Sequence, residues 1–262
     1  MRTLPSRLAC LFLACLALGA CTRTIARLQP IPLSTDRPSF STRASVVPVG
    51  FPQVESGLTY RRTDGASATA IGETTLRAAV SPSVELRLTA PSYVLLRESG
   101  SAADGLGDAS LGAKLVLSDV PSRPGETAPS VALLLGTSLP TGAPGVGSDR
   151  ALPSAALLVG WSLSPRTGLT ANVIWGEAEV AGGTAEVWAG VLGLGFSHTD
   201  KVGSFAEVYS SRGPSGDWDD PWVVGGLKFL MSRTVQFDVH GGVRSATPGE
   251  GYFLGLGLSR RF

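Results

Sequence analysis

Apolar and polar residues alternate along most of the chain, from about residue 54 to the last residue. The final stretch shows this most clearly. One parity carries Tyr252, Leu254, Leu256, Leu258 and Phe262, and the other carries Gly255, Gly257, Ser259 and Arg261. Successive side chains of a β-strand point to opposite faces. The stretch therefore predicts a strand with one apolar face and one small or polar face, ending on an aromatic residue.

The same alternation recurs in blocks close to the 9 to 11 residues that a tilted transmembrane strand needs. It predicts twelve strands, at residues 54–62, 71–80, 83–90, 108–118, 129–139, 154–164, 168–177, 184–197, 203–211, 222–231, 234–244 and 252–262. In most of them the charged residues share the face opposite the apolar one. Two strands depart from this, because Leu134 and Leu158 place apolar side chains on both faces, as the core of a soluble sandwich would.

The connections between these strands alternate in length, as they do in outer-membrane barrels. Short turns are predicted at residues 81–83, 164–167, 198–201 and 232–233, and longer loops at residues 63–70, 91–107, 140–153, 177–183, 211–221 and 245–251. The connection at 119–128 departs from the pattern, because it is long where a short turn is expected. Trp161, Trp175, Tyr252 and Phe262 fall near strand ends on the apolar parity, where an interfacial aromatic girdle would place them.

These patterns predict an all-β fold: a single antiparallel transmembrane β-barrel of about twelve strands over residues 53–262, in the cell outer membrane. The composition agrees, since 16% charged residues is below the roughly 25% usual for soluble domains. Beyond the N-terminus no run reaches the roughly 18 apolar residues that a spanning helix needs. The net charge of +1 gives no electrostatic footprint for nucleic acid.

The N-terminus has the layout of an export signal. Arg2 and Arg7 precede an apolar stretch, so we predict a signal peptide at 1–20. The run from Leu18 to Cys21 resembles a lipobox, which predicts a lipoprotein acylated at Cys21; the alternative is ordinary cleavage before Cys21, leaving a free thiol. All three cysteines lie in the first 21 residues, which argues against a disulfide framework or a metal cluster. Residues 21–52 are polar and rich in proline, and are predicted to be a tether or a lumen-filling plug.

Parity also predicts which polar residues face the lumen. These are Arg77, Glu85, Arg87, Lys114, Glu186, Glu207, Lys228, Asp238 and His240. Their charges are of both signs, whereas rings of one sign would predict ion selectivity. We therefore expect cross-lumen ion pairs and a narrow or plugged passage. A twelve-stranded lumen should be wider than that of a side-chain-filled eight-stranded barrel and narrower than an open porin of 16 to 18 strands.

The sequence predicts no enzymatic chemistry, with no catalytic residue, metal site or cofactor. There is no Gly-x-Ser-x-Gly elbow, and no matching pair of His and Ser residues stands out. His240 shares its face with Gln236 and Asp238 and is interpreted as a satisfied polar residue. The run from Gly105 to Asp108 lacks the later Gly-Lys-Ser/Thr of a phosphate loop.

Several motifs, taken in order, resemble an outer-membrane transporter family labelled putative MetA pathway of phenol degradation. They are Ala90-Pro91 with Tyr93, Gly105-Leu106-Gly107-Asp108, Gly112-Ala113-Lys114, Leu139-Pro140-Thr141-Gly142, Gly225-Gly226-Leu227-Lys228, Val235-Gln236-Phe237-Asp238 and the ending from Gly255 to Phe262. The resemblance covers about residues 50–262 and implies an outer-membrane barrel with a transport role. Cys21 departs from the family's usual pattern.

We therefore expect a channel or transporter for small, hydrophobic or aromatic solutes. Its expected partners are outer-membrane lipids, the solute, and the barrel-assembly machinery through the C-terminal strand. Three alternatives stay open: a non-transporting structural or adhesive barrel, a soluble periplasmic β-rich lipoprotein, and a barrel hydrolase.

Overall fold

The structure is a computed structural model, and it describes residues 33–118, 128–245 and 251–262. The predicted signal peptide, Cys21 and the connection at 119–127 lie outside the described residues. No helix in the described part of the chain is long and apolar enough to cross a membrane. The strands are β1 (Gln53–Thr63), β2 (Ala66–Ile71), β3 (Thr74–Ser81), β4 (Val84–Ala90), β5 (Tyr93–Glu98), β6 (Ser101–Leu106), β7 (Ser110–Ser118), β8 (Ser130–Ser138), β9 (Leu152–Ser164), β10 (Thr167–Val180), β11 (Gly183–Ser197), β12 (Val202–Arg212), β13 (Trp222–Ser232), β14 (Val235–Arg244) and β15 (Gly251–Arg261).

The first and last strands pair with each other and close the sheet. β1 runs antiparallel to β15 along its whole length, from the pair Gln53–Arg261 to the pair Thr63–Gly251. The Phe262 amide then donates to the Pro52 carbonyl at 2.9 Å. From β15 back to β7 each strand pairs with the one before it in the chain. The all-β fold and the closed barrel are therefore confirmed.

Three strands of the wall are interrupted, so that fifteen strands occupy twelve wall positions. β2, β5 and β6 continue β3, β4 and β7 after short breaks. At the first break, the amides of Gly72 and Glu73 both donate to the Gly57 carbonyl, at 2.9 and 3.0 Å, which is the two-against-one pattern of a β-bulge. β1 pairs with β2 through its second half and with β3 through its first three residues.

These continuations correct part of the sequence prediction. Residues 63–70 and 91–107, expected to be loops, contain β2, β5 and β6. Their glycine and polar composition is typical of loops, but cross-strand hydrogen bonding between β2, β5 and β6 holds them in a sheet. The loop predicted at 177–183 is also shorter, because β10 continues to Val180 and β11 begins at Gly183.

Side chains alternate between the two faces of the wall as the sequence predicts. On β15, Leu254, Leu256 and Leu258 are exposed on the outer face, while Phe253 and Ser259 are buried on the inner face. Two of the predicted girdle residues, Trp175 and Tyr252, lie on the outer face beside a second aromatic residue. Trp175 lies opposite Trp188 toward the long-loop end, and the rings of Tyr60 and Tyr252 lie 6.1 Å apart.

The loss of folding free energy caused by a charged side chain on the outer face depends on its depth in the bilayer. Leu192 is exposed on β11 between the outward rings of Trp188 and Phe196, whereas Leu163 is equally exposed but next to the turn after β9. We expect Leu192→Arg to lower the free energy of folding into phospholipid vesicles by about 2–4 kcal/mol and Leu163→Arg by about 0–1 kcal/mol, measured by denaturant titration. Equal costs at the two positions would contradict this placement of the membrane.

Candidate functional site

The residues that precede β1 lie inside the barrel. Residues 33–47, here called the inner segment, include the buried side chains of Leu33, Asp36, Ala44 and Val47. The inner segment makes hydrogen bonds or ion pairs with β1, β3, β4, β7, β10, β12 and β14. Because these strands surround the lumen, contacts with all of them place the segment within it.

The inner segment doubles back on itself. Near its start, the Ser34 carbonyl accepts a hydrogen bond of 2.9 Å from the side chain of Gln53, the first residue of β1. Midway, Phe40 stacks on Tyr209 in the half of the barrel that carries the long loops. The chain then returns to Pro52 and enters β1. Both ends of the inner segment therefore lie at the end of the barrel with the short turns.

Asp36 anchors the inner segment to three cations of the wall. Its Oδ2 atom lies 3.2 Å from Arg77 Nη1, 3.0 Å from Arg87 Nη1 and 3.4 Å from Lys114 Nζ. Burial by itself would raise the pKa of the Asp36 carboxyl, but Arg77, Lys114 and Arg87 hold that pKa well below its ordinary value. Asp36 is therefore ionised at any physiological pH.

Two carboxylates of the wall complete this ion cluster. Arg77 donates from Nη1 to Glu55 at 2.6 Å and from Nε to Glu85 at 3.0 Å. Both carboxylates also accept from the inner segment: Glu55 from the Asp36 amide at 3.1 Å and Glu85 from the Val47 amide at 2.8 Å. The cluster thus holds three cations and three carboxylates and has no net charge. Removing one partner of such a buried group typically costs 3–5 kcal/mol, since the remaining charge is left uncompensated.

A second set of hydrogen bonds holds the inner segment to the opposite wall. The Glu207 carboxylate accepts from the Phe40 amide at 2.8 Å and from the amide and hydroxyl of Ser41. Asn172 binds Thr42 in both directions, accepting from its amide at 2.6 Å and donating to its carbonyl at 3.0 Å. These bonds satisfy the backbone of a segment that forms no strand.

Apolar contacts with the inner segment explain two wall strands that looked anomalous in the sequence. Ala44 packs in a buried cluster with Ala132, Ala156 and Leu158, with Leu134 against it. The strands with apolar side chains on both faces therefore contact lipid on one face and the inner segment on the other. Apolar side chains on both faces of these strands therefore come from a filled barrel and not from the core of a soluble sandwich.

Aromatic side chains surround the turn of the inner segment. The Phe40 ring stacks on Tyr209 with centroids 4.8 Å apart and meets Phe253 edge-on at 5.5 Å. The guanidinium carbon of Arg61 lies 6.0 Å from the Phe40 ring centroid and 5.5 Å from that of Trp222. Arg61 therefore covers the aromatic cluster on the side that faces the long loops.

The predicted lumen-facing residues fall into three groups. Arg77, Glu85, Arg87, Lys114 and Glu207 contact the inner segment as described above. Asp238 is fully buried, with Arg37 Nε 4.0 Å from its Oδ1 atom. Lys228 and His240 lie on the inner parity of their strands; the Lys228 ammonium is 5.2 Å from the Phe205 ring centroid and the His240 ring is 5.7 Å from that of Phe253.

Glu186 is the exception, and its predicted position is wrong. It is exposed and shares the outer parity of β11 with Trp188 and Leu192. Its strand partner is Glu177, and the pair lies between the Trp175–Trp188 pair and the tip of the hairpin. Water can solvate an outward carboxylate beyond the aromatic girdle, so the parity of charges does not identify the lumen there.

Sequence analysis expected residues 21–52 to be a tether or a plug, but it did not identify which of these residues bind the wall. Asp36, Arg37, Phe40 and Thr42 lie in a stretch without periodicity, so no parity marks them as inward. The only available signal was the surplus of ionisable residues on the inner face, which requires partners inside the barrel.

The described part of the chain contains no group of three His, Cys, Asp or Glu side chains placed to hold a metal ion. One pair that the sequence did not suggest is present: His198 Nε2 lies 2.7 Å from Ser204 Oγ. His198 lies in the turn between β11 and β12, where its amide and that of Thr199 donate to the Val202 carbonyl, and Ser204 lies near the start of β12.

Comparison with known proteins identifies the family. A family model described as "Putative MetA-pathway of phenol degradation" matches residues 35–262. The chain belongs to this family. A search of curated proteins found no relative.

Two solved porins share the fold of this chain. The NanC porin superposes with a TM-score of 0.54 at 8% identity, covering 80% of this chain and 100% of its own. The KdgM porin superposes with a TM-score of 0.52 at 10% identity, covering 79% and 99%. With its closed wall and apolar outer face, this member of the MetA-pathway family is an outer-membrane barrel.

Two of the family motifs, Gly105–Asp108 and Leu139–Gly142, contact each other at the long-loop end of the barrel. We call this contact the clamp; it is made by Asp108 with Thr141, Gly142 and Ser148. Asp108 Oδ1 accepts hydrogen bonds from the amides of Thr141 at 3.0 Å and Gly142 at 2.7 Å, and its Oδ2 atom accepts from the Ser148 amide at 2.8 Å. The Thr141 hydroxyl accepts from the Ala109 amide at 2.9 Å. One carboxylate thus folds the loop between β8 and β9 against the break between β6 and β7.

Glycine is required where the clamp closes. A Cβ atom on Gly142 would lie 2.6 Å from Gly147 Cα and 2.9 Å from Asp108 Oδ1, closer than side chains tolerate. A Cβ on Gly105 would similarly meet the Ala143 side chain at 2.5 Å. Of the other family-motif residues, Pro140 precedes the clamp, Gly107 is adjacent to it, and Phe262 closes the seam of the barrel.

We expect Asp108→Ala to release the loop between β8 and β9 without opening the barrel, because three backbone donors lose a charged acceptor. Bonds of this kind are worth about 1.5–3 kcal/mol each. Amide hydrogen exchange of residues 139–150 should accelerate, while exchange in β9 and β10 stays unchanged. Asp149→Ala, in the same loop, is the control, since its amide rather than its side chain binds Glu179. Equal exchange in the two variants would contradict the clamp.

Proposed function

We propose that the chain is a channel for small solutes across the outer membrane and that the inner segment is a plug that controls passage through it. The observation that carries the proposal is the mode of attachment of this segment. It lies in the lumen and is held by ion pairs and hydrogen bonds at Asp36, Glu207 and Asn172. The hydrogen-bond ladder of the wall does not depend on it.

Such an attachment suits a plug that moves. Water can replace hydrogen bonds and ion pairs when the segment shifts, and the wall stays closed because β1 and β15 remain paired. With both ends at the short-turn end, the segment can shift toward the periplasm, the side that short turns face in outer-membrane barrels.

The size and lining of the lumen favour small solutes, aromatic ones among them. A twelve-strand barrel is intermediate between side-chain-filled and open-channel barrels. Phe40, Tyr209, Trp222 and Phe253 line its long-loop half, where aromatic rings of a solute would find stacking partners. The family description refers to phenol degradation, and the KdgM porin has been solved in complex with oligogalacturonate.

Catalysis has less support. The His198–Ser204 pair is exposed and joins a turn residue to β12, and in the described residues no carboxylate hydrogen-bonds to His198 to orient it as a base. We therefore propose a non-enzymatic role. A purely structural barrel is the second candidate, favoured by the filled lumen, and conductance distinguishes it from a channel.

We expect Asp36→Asn to raise the single-channel conductance of the full chain in planar bilayers. The substitution leaves Arg77, Arg87 and Lys114 facing only Glu55 and Glu85, so docking of the plug weakens by about 3–5 kcal/mol. Asp200→Asn, in a turn outside the lumen, removes the same charge and is expected to conduct like the unmodified chain. Heat-modifiable migration on SDS gels verifies that each barrel is folded.

A disulfide tests whether the conductance of Asp36→Asn comes from movement of the plug. Thr42 and Asn172 are hydrogen-bonded neighbours, so they are the positions chosen for a cysteine pair across the plug and the wall. Thr42→Cys with Asn172→Cys, added to Asp36→Asn, should return conductance to the original level when oxidised and release it on reduction. If a folded Asp36→Asn barrel conducts no better than the Asp200→Asn barrel, the plug does not gate the lumen. If neither barrel conducts, the purely structural role is favoured.

A further inference from the structure

A cavity of about 360 Å³ lies beside the inner segment. It is lined by residues 43–45 of the segment and by the wall from β8 to β13, near the short turn at Pro165 and Arg166. Its volume lies within the range of small-molecule sites. The space exists because inward positions of the wall there carry glycine or small hydroxyl residues, among them Gly160, Gly168 and Gly195.

The charged residues that line this cavity are all cationic. They are Arg43 of the inner segment, Lys228 of β13 and Arg166 at the turn, and no Asp or Glu of the described chain lines it. No described carboxylate lies within 4.0 Å of the Arg43 guanidinium or the Lys228 ammonium, in contrast to the fully paired ion cluster around Asp36. Cations in such a position favour an anion.

The uncharged lining favours an organic anion with one carboxylate. Hydroxyl groups that can donate to carboxylate oxygens come from Ser164, Thr170 and Ser197, whereas the Ser162 hydroxyl donates to the Ser164 carbonyl. Ala44 and the flat peptide faces at Gly168 and Gly195 line the space next to them, which suits a planar apolar body. We infer that the cavity binds small organic carboxylates of the size of a single aromatic ring, with the carboxylate between Arg43 and Lys228.

This site connects the solute directly to the plug. The Arg43 amide donates to Asp36 Oδ1 at 3.2 Å, and the Arg43 carbonyl accepts from Lys114 Nζ at 2.9 Å. A carboxylate bound to the Arg43 side chain would therefore be coupled to the ion cluster, because the backbone of the same residue binds Asp36 and Lys114. The interpretation of the bound carboxylate as a transported solute rests on the proposed channel function. Binding itself can be measured without transport.

Equilibrium dialysis of the full chain in detergent micelles with radiolabelled benzoate tests the inference, with empty micelles subtracted. Unlabelled benzoate should displace the label, whereas neutral benzamide should not. Lys228→Gln and Arg43→Gln should each weaken binding about tenfold or more, because each removes a charge-assisted hydrogen bond. Lys201→Gln, in the turn between β11 and β12, is the matched control and should bind benzoate like the unmodified chain.

A steric variant separates a cavity site from charge attraction at the surface. A Cβ atom on Gly195 meets no atom within 4 Å, so the backbone accepts a side chain there, and Gly195→Leu should occupy the cavity and abolish binding at unchanged charge. Displacement by benzamide, or unchanged binding in both Gly195→Leu and Lys228→Gln, would overturn the inference. A folded barrel that conducts but binds no benzoate would reject this site and leave the channel intact.

Discussion

Closure of the sheet is the constraint on which the rest of the molecule depends. Hydrocarbon offers no hydrogen bonds to an open strand edge, so a sheet in a bilayer must pair its first strand with its last. Here β1 and β15 pair along their whole length. Closure turns one face of every wall strand toward lipid and the other toward an enclosed space. That space is what forces buried ionisable groups to find partners.

The partners come from residues that form no strand. Burial of the three wall cations Arg77, Arg87 and Lys114 with only the wall carboxylates Glu55 and Glu85 would leave one positive charge uncompensated. Asp36 supplies the third carboxylate, so the cluster has no net charge. On the opposite side, Ala44 covers the apolar wall formed around Leu158. The inner segment thus matches polar wall with polar residues and apolar wall with apolar residues, as a packed core would.

The sequence was informative wherever a period of two controls the structure. It located the strands of the wall and the polarity of each face, because lipid excludes charge from one side. It failed where the period is interrupted or water reaches both faces. Glu186 lies beyond the aromatic girdle, and β2, β5 and β6 have a loop-like composition but are paired as strands. The contacts of Asp36 and Asp108 were also out of reach, because each joins segments distant in sequence whose proximity only the folded barrel creates.

The doubled-back path of the inner segment has a consequence for assembly. A chain that enters and leaves a cylinder at the same rim need not be threaded through it, since it can be laid in as a loop while the wall is still an open sheet. The segment is continuous with β1, and β1 meets β15, the last strand in the chain. Sealing the seam therefore encloses the loop without passing a free end through the lumen, and the same topology lets the loop withdraw later without breaking a single bond of the wall.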